Sequence, residues 1–410
     1  MAHRWFRKSA AALLLCVAAI FGFHAVSAQQ QYLVVNIVPG EKYEPVFEQV
    51  RDLAERDVAG RLQLGIGAIF SYLHQPRAQS AADVTEFLSL SERFEIPIIV
   101  QLDGEQWWEA RPDLWNWWDP ERPGFDPANR RNVEWSGWGP EYAMKIAWRN
   151  WGRQIRVLPP PNFMSQSYRG ACHAEMHTLI PLILRWWENL PEGKKSLLIG
   201  IKLGWESAIG VNSFYMRDGN ALLDFPEKED PQVKLQGDRI PDRGVAAIGY
   251  AAVMTAQMAD SGTLQEAHLA EIVRRHLDDL CALAADLGVP REKLFTHVGG
   301  WKEEEILYDA AFNSHSCPGW SFYRHAGDPA KDLGVQRVLG KSDAPYWAAA
   351  EWLLEGKNTL EAWHNALRRS LSDPKCRYLC VYNWSGIRDD PAAVDAIRRI
   401  LHDQNGPPKK

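Results

Sequence analysis

The chain has 410 residues, a formal net charge of −6 and an apolar fraction of 46%, which fits one large globular domain or two ordinary ones. An acidic balance without a long Lys/Arg run weighs against nucleic acid or an anionic membrane surface as partner. Tryptophan is the outlier: of 19, nine fall between Trp107 and Trp151.

The first 28 residues read as a secretion signal. Basic Arg4, Arg7 and Lys8 precede an apolar run, Ala10–Phe23, and then the small-residue site Val26-Ser27-Ala28. That run is too short for a stable membrane span. Leucines, not a small residue, precede Cys16, which speaks against a lipid anchor. The expectation is an exported chain with no membrane partner after signal cleavage. It would form a single domain over 29–405 with a frayed tail at 406–410. Cys172, Cys281, Cys317, Cys376 and Cys380 then remain, odd in number and without a CxxC. Buried free thiols are expected, and no zinc site.

Apolar runs of strand length then alternate with segments of helical period. Tyr32–Val38 is the first strand, with Val46, Phe47, Val50, Leu53 and Ala54 following at helical spacing. Arg61–Phe70 is the second, after which Ser80 is expected to cap a helix carrying Val84, Phe87 and Leu88. Ile96–Leu102 is the third and ends in Asp103-Gly104-Glu105. Residues 106–170 contain RPDLWNWWDP, NVEWSGWGP and LPPPN, a stretch too long for a simple connection. A helix rich in Leu, Ile and Trp runs to Leu190, and Ser196–Glu206 is the fourth strand. A polar insertion over 208–243 leads to a helix opened by a capping box at Thr263–Glu266. It turns Leu269, Val273, Leu277, Leu280 and Leu287 inward and stops at Gly288. Leu294–Gly300, Cys317–Tyr323 and Tyr346–Glu351 are strands five to seven. Asn358 is expected to cap a helix with Leu360, Trp363, His364 and Leu367, and Arg377–Trp384 is the eighth strand. Asp390-Pro391 starts the last helix, with Val394, Ile397 and Leu401.

Eight strand–helix units point to an α/β fold, a (β/α)8 TIM barrel with long loop insertions after strands 3 and 4. A doubly wound sheet gives the same alternation, but its strands would be apolar on both faces. Here one parity is small or polar: Gln63, Gly65 and Gly67; Gln101, Asp103 and Glu105; Gly200, Lys202 and Glu206. Ile199, Ile201 and Leu203 form the opposite, helix-facing side of the fourth strand.

Barrel enzymes carry their chemistry at the C-terminal strand ends. Those ends read Asn36, Asp103 and Glu105, Glu206, His297, Tyr323, Glu351 and Trp384. Two carboxylates can divide glycoside cleavage, one protonating the leaving oxygen and one acting as nucleophile or base. Glu206 and Glu351 are the candidate pair, with Asp103 and Glu105 as rivals. The plain alternatives are a salt-bridged lumen carboxylate for Glu206 and a first-turn helix acid for Glu351. Lys202 falls deep in the lumen and needs a polar partner there. His173, Glu175 and His177 (HAEMH) do not follow the zinc-protease order. No P-loop or dinucleotide motif occurs.

The tryptophan-rich insertion indicates the substrate class, because indoles stack on the C–H faces of sugars. Trp115, Trp117 and Trp118 sit beside Arg111, Asp113, Asn116 and Asp119 in a Pro-flanked loop, with core packing as the rival explanation. In layout the chain resembles the clan A retaining glycoside hydrolases. That resemblance implies an acid/base glutamate ending strand 4, where Glu206 falls, and a nucleophile ending strand 7, where Glu351 falls. It further implies sugar-platform aromatics at Trp384 and Tyr323. One position departs: the clan's asparagine before the acid/base glutamate is Trp205 here. Asn36, Asp103 or His297 could serve the sugar 2-hydroxyl instead, or Glu206 is not the acid.

The expected ligand contacts are Asn36, Asp103, Glu105, Trp107, Trp115, Trp117, Trp118, Trp205, His297, Tyr323 and Trp384. The expectation is therefore a secreted β-glycoside hydrolase with a carbohydrate substrate and no cofactor or metal. A non-catalytic carbohydrate-binding barrel is the alternative. A metal-dependent hydrolase, sensitive to chelation, is the third possibility.

Overall fold

Eight parallel strands close into a barrel: β1 (Gln31–Ile37), β2 (Leu62–Ser71), β3 (Ile98–Asp103), β4 (Leu198–Ser207), β5 (Leu294–Val298), β6 (Gly319–Phe322), β7 (Trp347–Trp352) and β8 (Cys376–Val381). Each strand lies beside its neighbours in sequence, and β8 pairs with β1. This is the (β/α)8 architecture. The computed structural model describes residues 30–54, 60–145, 147–150, 154–209, 211–212, 246–300, 304–323, 328–354 and 356–405. The secretion-signal segment, most of the polar insertion after β4 and the expected tail lie outside the described residues.

Among the described residues, seven helices of nine residues or more flank the barrel: α1 (Tyr43–Leu53), α2 (Arg77–Phe94), α3 (Gln166–Asn189), α4 (Glu266–Asp286), α5 (Leu333–Lys341), α6 (Leu360–Ser370) and α7 (Pro391–Asn405). Between β5 and β6 the covering element is a 3-10 stretch, Ile306–Ala311, which buries Tyr308, Ala310 and Ala311. Strand alternation sorts the core. Leu33, Val35, Ile37, Val100, Leu102, Ile201 and Leu203 pack in the layer under the helices. Tyr32, Val34, Ile99, Ile199, Phe295, Ala348, Tyr378 and Cys380 fill the lumen.

Ile199 is thus on the opposite side from the expected one. A register shift pairs Ile98 with Leu198 but Ile99 with Gly200, and this irregularity turns Ile199 inward. Three helix starts also differ from expectation. α2 begins after Pro76, so Ser80 is buried within the helix rather than capping it. α4 begins behind Gln265, which makes no side-chain cap, so the Thr263 box is not formed. α6 is capped by Thr359, whose side chain accepts from Ala362 N. The neighbouring Asn358 accepts from the Trp363 indole instead, at 2.7 Å. The ends at Gly288 (φ +100°) and Asp390, which accepts from Ala392 N at 3.0 Å, follow the sequence reading.

The insertion after β3 carries a short helix, Pro112–Trp115, and an antiparallel pair, Ala147–Asn150 with Gln154–Val157. All five described cysteines are buried and unpaired. Among the described residues no helix is long and apolar enough to cross a membrane.

Candidate active site

The end of β4 is distorted where its carboxylate emerges. Gly204 takes φ +83° and Glu206 φ +50°, a left-handed conformation that an L side chain adopts only when its surroundings impose it. Gln101 Nε2 donates to Gly204 O at 3.0 Å, and Gln106 Nε2 to Trp205 O at 3.0 Å. These two amides hold the distorted segment from the β3 side. On β7, Ala348, Ala349 and Ala350 precede Glu351. Lys202 Nζ crosses the lumen from β4 and donates to Ala350 O at 2.9 Å.

Glu206, His297 and Glu351 each bring one polar atom within 4.8 Å of the others. The Ser321 hydroxyl donates to Glu206 Oε1 at 2.8 Å and lies 2.9 Å from His297 Nε2. The Tyr323 hydroxyl donates to Glu351 Oε1. His297 Nε2 stands 3.9 Å from Glu351 Oε2. This is the one set among the described residues whose ligating atoms converge as a metal site would require. Its His297 nitrogen and one Glu206 oxygen are already engaged by Ser321, and one Glu351 oxygen by Tyr323. Glu351 Oε2 is buried and meets no hydrogen-bonding group among the described residues.

The electrostatics separate the two acids. Burial pushes Glu206 well above the usual carboxylate range, and the Glu351 charge adds to that push against the bonds from Ser321 and Tyr323. Burial also raises Glu351, but Lys202 and hydrogen bonds from Tyr323 and Trp205 all favour its ionised form. Burial lowers Lys202, with the Cys380, Glu351 and Glu206 charges opposing. His297 is held neutral, well below its ordinary range, by burial and then by Lys202.

The other candidates separate into those at this cluster and those elsewhere. Trp205 and Tyr323 contact Glu351. Asn36 is on the lumen parity of β1 near its C-terminal end, in register with Gly67. Asp103 is committed locally: Oδ1 accepts from Glu105 N and Oδ2 from Ser71 Oγ, both at 2.8 Å. Glu105 turns away from the pair toward α4, where Ser207 Oγ (2.7 Å) and His276 Nε2 (3.1 Å) meet its Oε1. It lies beyond the last residue of β3, where strand alternation no longer sets its direction.

Trp107 is half-buried with its ring edge toward His74. Trp115 is 5% exposed and its indole donates to Trp108 O. Trp117 donates to Met144 O and has Arg130 and Lys145 over its ring. Trp118 contacts both of these indoles. The three form an aromatic core for the insertion itself. Trp384 is also buried, donating to Gln49 Oε1 at 2.7 Å.

Two residues at the cluster escaped the sequence reading. Tyr382, just past β8, sets its ring edge-on to Tyr323 at 5.7 Å. Its hydroxyl is raised by burial and by the Glu351 and Glu206 charges. Ser321 shares strand parity with Tyr323, and that alternation was the available signal. The HAEMH segment is committed to helix packing: His173 pairs with Asp279 of α4, and Glu175 with Arg77 of α2.

No family model matches the chain, and no curated protein sequence does. Among solved structures it is similar to the catalytic domain of beta-amylase from Paenibacillus polymyxa (TM-score 0.52, 8% identity, covering 93% of this chain and 100% of that one). A weaker likeness is to Bacillus subtilis mannanase man26 (TM-score 0.45, 9% identity, 93% and 91% covered). A third is to a GH5-4 broad specificity endoglucanase from an uncultured bacterium (TM-score 0.40, 8% identity, 93% and 99% covered). At such identities a likeness speaks for architecture only. The chain shares the (β/α)8 barrel fold with the beta-amylase catalytic domain.

Proposed function

We propose that the protein is an exported, retaining glycoside hydrolase that cleaves β-linked oligo- or polysaccharides with Glu351 as nucleophile and Glu206 as acid/base. The observation that carries this reading is the approach of the two buried carboxylates, with oxygens within 4.8 Å at the C-terminal mouth of a barrel. Retaining enzymes hold their carboxyl groups about 5–5.5 Å apart, and inverting ones about 6.5–9.5 Å apart to admit a water. The electrostatics support the division of roles: Glu351 has a lysine, a phenol and an indole favouring its charge, while Glu206 faces that charge in a desolvated position.

In the first step Glu351 attacks the anomeric carbon as the glycosidic C–O bond breaks, and Glu206 gives its proton to the leaving oxygen. In the second, ionised Glu206 takes a proton from water. The water oxygen attacks the same carbon and releases Glu351. Tyr323 donates to Glu351 Oε1, which orients the nucleophile and stabilises the carboxylate as it leaves. No cofactor enters either step. The residues 1–28, with their basic, apolar and small-residue regions, support export. N-terminal sequencing of the protein recovered outside the cytoplasm tests that part.

Reducing-sugar release from a panel of polysaccharides and aryl β-glycosides tests the chemistry, with wild type run beside Glu351→Gln. Turnover that falls by several orders of magnitude in the variant is expected, with the first product formed in the substrate's own anomeric configuration. Equal turnover in both proteins would remove Glu351 from the chemistry. Sugar binding without turnover in either would favour a carbohydrate-binding barrel.

A further inference from the structure

Ser321 and His297 sit on adjacent strands, β6 and β5, and are wholly buried. Glu206 Oε1, Ser321 Oγ and His297 Nε2 form an unbroken chain with links of 2.8 and 2.9 Å. Nothing in the two-carboxylate mechanism requires such a chain. Its direction follows from the end that has no partner. His297 Nδ1 is buried and meets no hydrogen-bonding group among the described residues. A neutral imidazole carries one N–H. Placed on Nδ1, that hydrogen would be an orphaned buried donor, which folded proteins tolerate less readily than an unfilled acceptor. The hydrogen therefore sits on Nε2 and is donated to Ser321 Oγ. A serine hydroxyl has one hydrogen of its own, and the remaining acceptor in line is Glu206 Oε1.

We propose that His297 and Ser321 form a one-way donor relay that fills Glu206 Oε1 and so reserves Oε2 as the oxygen that carries the transferable proton. Both are positioning residues, and this role rests on the reading of Glu206 as acid/base. The relay suits both halves of the cycle without rearrangement. When Glu206 is protonated, Ser321 donates to its carbonyl-like oxygen. When Glu206 is ionised, the same bond stabilises the carboxylate. A group that had to alternate between donor and acceptor would need to reorient between the two steps. The neutrality of His297, set by burial and by Lys202, keeps the relay from becoming a proton source itself. The other groups facing this carboxyl are Glu351 from β7, Lys202 from β4, and Tyr323 and Tyr382 beyond β6 and β8.

Two measurements on the intact protein test the relay, and neither needs turnover. A failure of the hydrolase reading would therefore be seen separately. The first is 15N–1H correlation spectroscopy of histidine-labelled protein, with the His297 signal assigned by its loss in His297→Gln. A single proton on Nε2 through the neutral range is expected, and a proton on Nδ1 overturns the proposal. The second is a 13C titration of the Glu206 carboxyl in wild type, Ser321→Ala and Ser321→Thr. Loss of a donor to the ionised form should raise the Glu206 midpoint by about one pH unit in the alanine variant. Threonine, which keeps the hydroxyl, should leave it near the wild-type value. An unmoved or lowered midpoint in Ser321→Ala means that Glu206 is not receiving that bond, and the proposal falls. Should Ser321→Ala not fold, the wild-type tautomer still decides the matter.

Discussion

Trp205 and Glu206 are consecutive residues, yet both reach toward the same carboxylate, Glu351. In a regular strand they would point to opposite faces. The left-handed backbone at Gly204 and Glu206 removes that alternation, so one strand end supplies both an indole donor and a second acid. Gly204→Ala should undo the arrangement. An added Cβ would collide with Ser207 Oγ and stand 2.9 Å from Glu105 Oε1, in a conformation that favours glycine. A loss of about 2 kcal/mol of stability is expected, with turnover down about tenfold or more from misplacement of the carboxyl groups. Thermal melts and aryl-glycoside kinetics on one preparation check both effects.

The pH–rate profile should be a bell with both limbs displaced upward. In the proposed mechanism, activity requires ionised Glu351 and protonated Glu206. Burial raises Glu351, so the rising limb lies above the ordinary carboxylate range. Burial and the Glu351 charge raise Glu206, so the falling limb lies higher still. In Tyr323→Phe the proposed nucleophile, Glu351, loses a donor to its charged form. The rising limb of kcat/KM should then move up by about one pH unit or more, with a lower kcat. A rising limb that stays in place in Tyr323→Phe would contradict the assignment of that limb to Glu351.

The barrel was legible in the sequence because there are eight apolar runs and three of them, strands 2 to 4, carry one small or polar parity, and β2 shows why. Gly65 has no room for a side chain: a Cβ there would stand 2.8 Å from Pro97 O and 2.9 Å from Ile199 Cδ1. Side-chain direction was legible only where alternation persists. It is interrupted at Ile199 by a register shift and ends before Glu105, and both residues turned the opposite way. Composition identifies an aromatic residue but not its orientation. Trp384 went into the core against Gln49 while Tyr382, two residues earlier, stood beside Tyr323. Ser321 carried no signal beyond parity, since a strand serine is commonplace until its neighbours in space are known.

Asp103 should leave a mark on stability rather than on catalysis. Burial, then the Glu105 charge, pushes its carboxyl up to about 7. An unfolded aspartate loses its proton at about 3.9. Between those values the folded state binds a proton that the unfolded state has released, so this group's contribution to stability falls as pH rises through that window. Asp103→Asn keeps an acceptor for Glu105 N and can place its amide against Ser71 Oγ. The decline in Tm from about pH 4 to about pH 7 should be shallower in the variant. Parallel slopes for the two proteins would show that Asp103 titrates normally.

Trp115 and Tyr382 should behave in opposite ways. Trp115 lies in the insertion's own aromatic core, so Trp115→Ala should destabilise by about 3–5 kcal/mol. Tyr382 is half-buried beside the acid pair. Tyr382→Ala should lower the Tm little while raising KM severalfold, as loss of a sugar-facing aromatic would. Differential scanning calorimetry and initial-rate kinetics separate the two. A raised KM with unchanged Tm in Trp115→Ala would restore that indole as a sugar platform.

The five described cysteines give the barrel no disulfide for redox conditions to act on. Cys172, Cys281, Cys317, Cys376 and Cys380 are all buried, and burial pushes each thiol far above its ordinary range, so almost none is present as the reactive thiolate. Among the described residues no covalent cross-link holds the barrel, and no oxidant is needed to complete it. Alkylation of native protein should therefore proceed only through opening of the structure. The cysteines lie in α3, α4, β8 and the segment entering β6, which makes the rate at which each is labelled a clock for when its part of the barrel comes apart.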